Sequence, residues 1–412
     1  MNIAYLSLGA LVIAILVSCF TELNVGILSL AFAWIVGVYF GGMTLNQVIA
    51  GFPVALFLTL AGVTLLFSQA QLNGTLDRVA HRAVLICRGN TGLIPVMFFV
   101  LAATLASLGP GNVSTAALLA PMAMAVAGRA AIPAFLMIIM VGDGAQAGAL
   151  SPFAPTGVIV NGIMDKIGLA GHEWHTYWTN LAAHALVAFG GYFLFGGLKL
   201  FRSTKVVTIE QKPEDIRIEM QHWITLAVIG ALLVGVLFFD VNVGMGGLAG
   251  AVILAILRAA DHKEAIRRMP WSVIIMMSGV TVLIALLEKT GGLDLFTAGL
   301  ALLATPKDIT GVIAFVTGLI SVYSSTSGVV LPAFLPTVPG LIMRLGGGDP
   351  VSVATSMNVG AHLVDLSPLS TTGALCLAGV ASSENLRSVF NKLLAWGLSM
   401  TVVGAIICYL FF

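Results

Sequence analysis

Charged side chains are scarce in this chain: Asp, Glu, Lys and Arg make up 9% of the 412 residues, and the 19 basic and 18 acidic groups leave a formal net charge of +1. Without a basic excess there is nothing to hold the phosphates of a nucleic acid, and no such partner is expected. Cysteine is equally sparse. Cys19, Cys87, Cys376 and Cys408 stand singly in or beside apolar runs with no CxxC spacing, which argues against a disulfide framework and a zinc site. A Walker A loop is absent, so transport driven by ATP through this chain alone is not expected. His81, His172, His175, His184, His222 and His262 show neither zincin nor deaminase spacing, and those near loops read as ordinary surface residues. Asp143 follows Val141-Gly142, but Met140 occupies the first glycine position of a GxGD pattern, so an intramembrane aspartyl protease is not supported. The chain reads as a protein without enzymatic activity. It also lacks a basic n-region and a small-residue cleavage site at its start, and the opening apolar run reads as a first spanning helix.

What is present is apolar. Hydrophobic residues make up 58% of the chain and mean hydropathy is +1.03, more apolar surface than a water-soluble domain could bury. An all-α polytopic membrane protein is expected. Runs near the length of a spanning helix fall at about 3–20, 24–41, 48–69, 177–201, 221–239, 243–258, 271–288 and 388–412. Four further stretches are interrupted: 91–127 at Gly109-Pro110-Gly111-Asn112, 130–165 at Ser151-Pro152, 308–345 at Tyr323 to Gly328, and 350–380 at Ser367-Pro368. The stretches 91–127 and 308–345 are too long for one crossing and read as re-entrant hairpins. Those at 130–165 and 350–380 read as crossings with an unwound middle, tolerated only where protein or a water-filled cavity satisfies the freed backbone. Amphipathic stretches at Thr75–Arg88 and Leu293–Leu303 are expected along the membrane surface, leading into the hairpins.

The interruptions are paired because the chain is duplicated. Asn24-Val25-Gly26, Pro53, Gly62-Val63-Thr64 and Gly74-Thr75-Leu76-Asp77 recur as Asn242-Val243-Gly244, Pro270, Gly279-Val280-Thr281 and Gly291-Gly292-Leu293-Asp294. Residues 1–202 form a first repeat and 220–412 a second, joined by a cytoplasmic linker at 203–219. Each copy makes five crossings. Five is odd, so the second copy is expected to be inverted. With the N-terminus outside, fifteen of the 19 basic residues, including Arg78, Arg82, Arg88, Arg202, Lys205, Arg258, Arg267, Arg268 and Arg387, lie in or beside cytoplasmic segments. Lys166, Lys289, Lys307 and Arg344 face out. Both termini are then outside, the first hairpin opens from the cytoplasm and the second from the exterior.

The breaks repeat in detail. Ser114-Thr115 precedes Pro121 at the spacing of Ser325-Thr326 before Pro332, and Ser151-Pro152 with Thr156-Gly157 matches Ser367-Pro368 with Thr372-Gly373. Such tips expose backbone N–H groups at half-helix N-termini, which favour an anion, and carbonyls and hydroxyls that suit a hard cation. Ser, Thr and Gly also serve close packing in membrane helices, so their concentration at four paired breaks, rather than any one of them, signals a site. Asp143, His362 and Asp365 fall inside the broken crossings, where ionisable groups are costly. They are candidates for proton or sodium coupling, or carboxylates satisfied by freed backbone N–H groups.

At these motifs the sequence resembles the ion-transporter superfamily, its divalent anion:sodium symporter type, and most closely the malonate/dicarboxylate carrier (MatC-like) branch. Gly109 to Thr115 leading to Pro121 is similar to that family's Ser-Asn-Thr hairpin signature, and Ser367 to Gly373 to its second broken-helix loop. The resemblance spans essentially the whole chain. It implies a homodimer in the inner membrane whose transport domain carries the substrate past a scaffold, an elevator. It further implies secondary-active import of malonate or a four-carbon dicarboxylate, coupled to Na+ or H+ and needing no other cofactor. Carried onto this sequence, the substrate-binding residues are Asn112, Ser114, Thr115, Pro155, Thr156, Gly157, Tyr323, Ser324, Ser325, Thr326, Ser327, Ser370, Thr371, Thr372 and Gly373. The sodium candidates are Asn112, Ser151, Ser325 and Ser367. Gly111 and Val113 depart from the first signature, and Tyr323 stands where asparagine is expected. The alternative within the same fold is the large membrane subunit of a binding-protein-dependent (TRAP-type) carboxylate transporter.

Overall fold

The computed structural model describes residues 2–21, 23–85, 90–201, 217–239, 241–380 and 384–412, and among these every regular element is helical. In lipid each segment has to satisfy its own backbone groups, which the helix does. Five helices are long and apolar enough to cross a membrane, Val54–Leu72, Gly111–Ala130, Trp271–Thr290, Thr326–Leu345 and Leu386–Phe411, and shorter apolar helices lie between them. The expected linker 203–219 lies outside the described residues up to 216, as do Cys87, Arg88, Arg202 and Lys205.

The first half comprises α1 (Ile3–Phe20), α2 (Val25–Trp34, prolonged by a π turn over Ile35–Phe40), α3 (Leu45–Ile49), α4 (Val54–Leu72) and α5 (Thr75–Leu85). It continues with α6 (Leu93–Leu108), α7 (Gly111–Ala130), α8 (Ala134–Ala147), α9 (Pro155–Lys166), α10 (Glu173–Leu194) and α11 (Gly197–Phe201). In the second half α12 (Met220–Phe239), α13 (Val243–Ile256), α14 (His262–Arg268), α15 (Trp271–Thr290) and α16 (Gly292–Ala301) precede α17 (Ile309–Ser321). A π turn over Thr326–Val330, α18 (Leu331–Phe334) and α19 (Val338–Leu345) come next, then α20 (Pro350–Leu363), α21 (Thr371–Ala378) and α22 (Leu386–Phe411).

Local chemistry sets these boundaries in matched pairs. Asn24 and Asn242 cap α2 and α13, their side chains accepting from the backbone N–H of Gly26 and Met245. Pro53 and Pro270 stand just ahead of α4 and α15, where a missing N–H costs nothing. The first hairpin turns at Gly109, whose φ is +144°. A Cβ there would lie 1.9 Å from the Phe67 ring, so only glycine suits both the backbone and the space.

The duplicated glycines join the two halves. A Cβ on Gly26 would lie 2.3 Å from the carbonyl oxygen of Ile275, and one on Gly279 2.0 Å from that of Gly26. Equivalently, a Cβ on Gly62 would lie 2.0 Å from the Gly244 oxygen, and one on Gly244 2.3 Å from the Thr59 Cα. Thus α2 packs backbone to backbone on α15, and α4 on α13. Contacts advance together along each pair, Gly37 reaching Leu286 and Gly250 reaching Leu66, so the paired helices run in the same direction. Because the obstacle is backbone rather than a movable side chain, Gly279→Ala is expected to cost about 1–3 kcal/mol. A lowered melting temperature of the purified protein checks this; an unchanged one would mean that the backbones part without penalty.

The two broken crossings are closed alike. A Cβ on Gly157 would fall 1.9 Å from the Ser151 carbonyl oxygen, and one on Gly373 2.0 Å from that of Ser367. In each break the start of the second half-helix therefore lies directly over the serine that ends the first. Around them, α8 packs against α6, α7 and α10, while α20 packs against α17 and α22.

Candidate functional site

The tips of both hairpins and the second break converge on one cavity of about 480 Å³. Asn112 and Val113 reach it from the first hairpin, Tyr323, Ser324, Ser325, Thr326 and Ser327 from the second, and Asp365, Leu369, Ser370, Thr371 and Thr372 from the second break. The opposite wall is made by Thr21, Leu23, Asn24 and Val25 at the start of α2 and by Ser272, Val273 and Met276 at the start of α15. That volume suits a small organic acid.

Five helix starts face this space: α2 at Val25, α7 at Gly111, α15 at Trp271, the second hairpin arm at Thr326 and α21 at Thr371. Asn24, Ser325 and Ser370 each take up one N–H at α2, the second hairpin arm and α21, and the remaining first-turn N–H groups with the positive dipole ends favour an anion. Among the described wall residues there is no Lys, Arg or His, and Asp365 is the one carboxylate.

Asp365 is held by neutral donors. Thr326 Oγ1 donates to Asp365 Oδ1 at 2.6 Å, and Gln146 Nε2 approaches Oδ2 at 3.3 Å and Thr372 Oγ1 at 3.1 Å. The Gln146 carbonyl in turn accepts from Asn112 Nδ2 at 2.8 Å. The hydroxyl of Ser321 pairs with that of Thr326, and the hydroxyl of Ser370 donates to the Asp365 backbone carbonyl. Gln146, in the last turn of α8, thus ties the first hairpin tip to the second break. Its own backbone carbonyl accepts from Asn180 Nδ2 at 2.9 Å.

The remaining expected site residues stand off the cavity wall. Ser114 is half-buried, while Thr115 is buried with its hydroxyl unpaired. Pro155 abuts Gly111 behind the first tip, with Thr156 and Gly157 buried after it. Ser151 Oγ donates to the Ser107 carbonyl at 2.7 Å and accepts from Phe153 N–H, and Ser367 Oγ accepts from Leu369 N–H at 3.3 Å. Gly373 N–H donates to Ser370 Oγ at 3.2 Å, capping α21.

Three ionisable groups, Asp143, His184 and His362, are buried off the cavity wall. Asp143 Oδ1 is 2.9 Å from His184 Nδ1, and both side chains are fully buried. The partner of Asp143 is therefore a histidine on α10, not the freed backbone of the break. His184 and His222 are buried, unlike ordinary surface histidines; His222 Nδ1 accepts from Glu219 N–H at 2.8 Å. His362 Nδ1 faces the Asn358 carbonyl at 2.8 Å. Sequence reasoning missed Gln146 and His184, and also Asn24 and Ser272, which line the cavity and pair at 2.9 Å through the Ser272 carbonyl. An amide three residues beyond Asp143 in an apolar helix was the available signal for Gln146.

Comparison with known proteins agrees with this architecture. Residues 1–149 match the family model described as dicarboxylate carrier protein MatC N-terminus. Uncharacterized transporters of Mycobacterium tuberculosis and Mycobacterium bovis are each 21% identical over 360 residues, covering 84% of this chain and 82% of theirs. Among solved structures, the YdaH transporter of Alcanivorax borkumensis superposes with a TM-score of 0.58 at 18% identity, covering 91% of this chain and 88% of that one. MtrF of Neisseria gonorrhoeae, described within a class of antimetabolite efflux pumps, gives 0.56 at 14% identity, covering 89% and 82%. The chain is a multi-pass membrane transporter, not an enzyme.

Proposed function

We propose that this transporter imports a small dicarboxylate, malonate or a four-carbon acid, coupled to sodium or a proton. It works as a homodimeric elevator in the inner membrane with both termini outside. The observation that carries the reading is the cavity itself, in which five helix N-termini surround a single carboxylate and no cation among the described wall residues. Helix N-termini and neutral donors bind an anion, but an ionised Asp365 opposes it. At about 4 Å and an effective dielectric constant near 20, two like charges repel by about 4 kcal/mol, close to a thousandfold in affinity. A dianion therefore binds only with Asp365 neutralised by a proton or screened by sodium. Coupling follows from the charge of the site. For sodium, Asp365 with Asn112 and Ser325 on the same wall supplies the oxygen set that a hard cation takes.

The inverted repeat is supported by helix direction. α2 and α4 are successive crossings joined by a short connection, hence opposed, while α2 runs with α15. The third long helix of one copy thus opposes that of the other. With the N-terminus outside, the cavity sits at the cytoplasmic ends of α2 and α15, an inward-facing arrangement. A second cavity of about 220 Å³, lined by Pro53, Lys166, Glu288 and Pro332 among others, lies toward the other end of α15. Alternation between the two ends is what an elevator requires.

The test is a thermal-shift panel on the purified protein, since a ligand bound only by the native state raises its stability. Malonate or succinate should raise the melting temperature more with sodium present or at lower pH. No shift with any dicarboxylate under either condition overturns the proposal.

A further inference from the structure

The Asp143–His184 pair is not used by the cavity, yet it lies in the same body as the substrate tips. Asp143 is on α8 one turn before Gln146, which bonds Asp365, and His362 is on α20 one turn before Asp365. Both members of the pair are wholly inaccessible and 2.9 Å apart. Three of the polar atoms here have no hydrogen-bond partner: Asp143 Oδ2, His184 Nε2 and His362 Nε2. Packed helices bring no fixed countercharge: α6 has no ionisable side chain, and α7, α9 and α22 carry only the exposed Arg129, Asp165, Lys166, Arg387, Lys392 and Tyr409 besides Cys408, which faces Ser356. α21, which packs on α8, carries Cys376, and α20, which packs on α10, carries His362.

A carboxylate and an imidazole buried together without another charge hold one proton between them, because the bare anion would be an uncompensated buried charge. The unpartnered Nε2 of His184 is where such a proton enters or leaves. We propose that Asp143 and His184 form a proton-binding site, holding one exchangeable proton that is carried with the substrate and is distinct from the cation at Asp365. The inference rests on the transport reading, which it deepens by adding a second coupled charge. A dianion accompanied by one cation at Asp365 and one proton here crosses with no net charge.

The experiment measures dicarboxylate accumulation in proteoliposomes against an imposed pH difference, at zero membrane potential, for wild type, Asp143→Asn and His184→Gln. Each coupled proton contributes about tenfold in accumulation per pH unit. Both variants should lose one such factor of about ten per pH unit while retaining exchange of labelled for unlabelled substrate. Wild-type dependence on the pH difference in both variants overturns the proposal, as does loss of exchange in step with accumulation, which marks a purely structural pair. If Asp143→Asn does not fold, His184→Gln alone decides between these outcomes. A reading free of substrate separates this inference from the transport assignment. Unfolded Asp and His together hold no proton above about pH 7, so one proton retained by the native pair makes the wild-type melting temperature fall as pH rises from about 7 to about 9. Asp143→Asn should lack that component; equal pH dependence in both proteins also overturns the site.

Discussion

Asp365→Asn is expected to leave dicarboxylate exchange measurable while abolishing the contribution of one coupling cation, a loss of about tenfold in accumulation per decade of gradient imposed. The asparagine keeps the size of the side chain and an acceptor for the Thr326 hydroxyl, now 2.6 Å from the carboxylate. It removes the charge that makes a dianion wait for a cation. Binding in the variant should therefore lose the dependence on sodium or pH that Asp365 confers, leaving only that of the Asp143–His184 proton. At low sodium and high pH the variant should bind more tightly than wild type, by up to about a thousandfold if the full like-charge repulsion is relieved. Counterflow and gradient-driven uptake in parallel read both effects. A variant that still accumulates substrate with the wild-type dependence on both gradients would show that Asp365 is not the coupling group.

Asn112→Ala is expected to lower transport about 100-fold without preventing folding. Asn112 does two things at the first hairpin tip: it lines the cavity, and its amide donates to Gln146 Oε1 at 2.8 Å. Truncation leaves the buried Gln146 carbonyl unpaired, which costs about 1–3 kcal/mol, and removes one donor from the anion. Gln146 is also the group that approaches Asp365 and Thr372, so freeing it disturbs the second break across the cavity. Initial uptake rates at saturating gradient, with a melting curve to verify folding, measure the loss. Ser114→Ala, two residues further along α7, half-buried and off the wall, is expected to change the rate by less than about threefold, within the net worth of a single hydrogen bond. Equal rates in Asn112→Ala and wild type would detach the hairpin tip from the site.

Much of the architecture was legible because membrane helices advertise themselves. Breaks at Gly109-Pro110, Ser151-Pro152, Tyr323 to Gly328 and Ser367-Pro368 are where the structure interrupts its helices, since glycine and proline cannot continue them, and in the second half Ser325 and Ser370 cap the half-helices that follow. Asn24 and Asn242 likewise begin helices in both copies. The site was legible only in part. Tips that share a cavity were nominated from their own sequence, but which of their residues face it depends on helix rotation, which places Asn112 on the wall and Ser114 off it. Asn24 and Ser272 were invisible as site residues because their role arises where the two copies meet, about 250 residues apart in the chain. Gln146 and His184 were missed for a related reason: a lone polar residue in an apolar helix has no periodic partner, and only tertiary packing sets His184 against Asp143.

The most direct test is uptake by the purified chain alone, reconstituted in liposomes with an inward sodium or proton gradient and given labelled malonate or succinate. Saturable accumulation above equilibrium that collapses with the gradient is the expected result. No accumulation of any dicarboxylate under either gradient, or accumulation only when a separate soluble binding protein and a second membrane subunit are supplied, would contradict it.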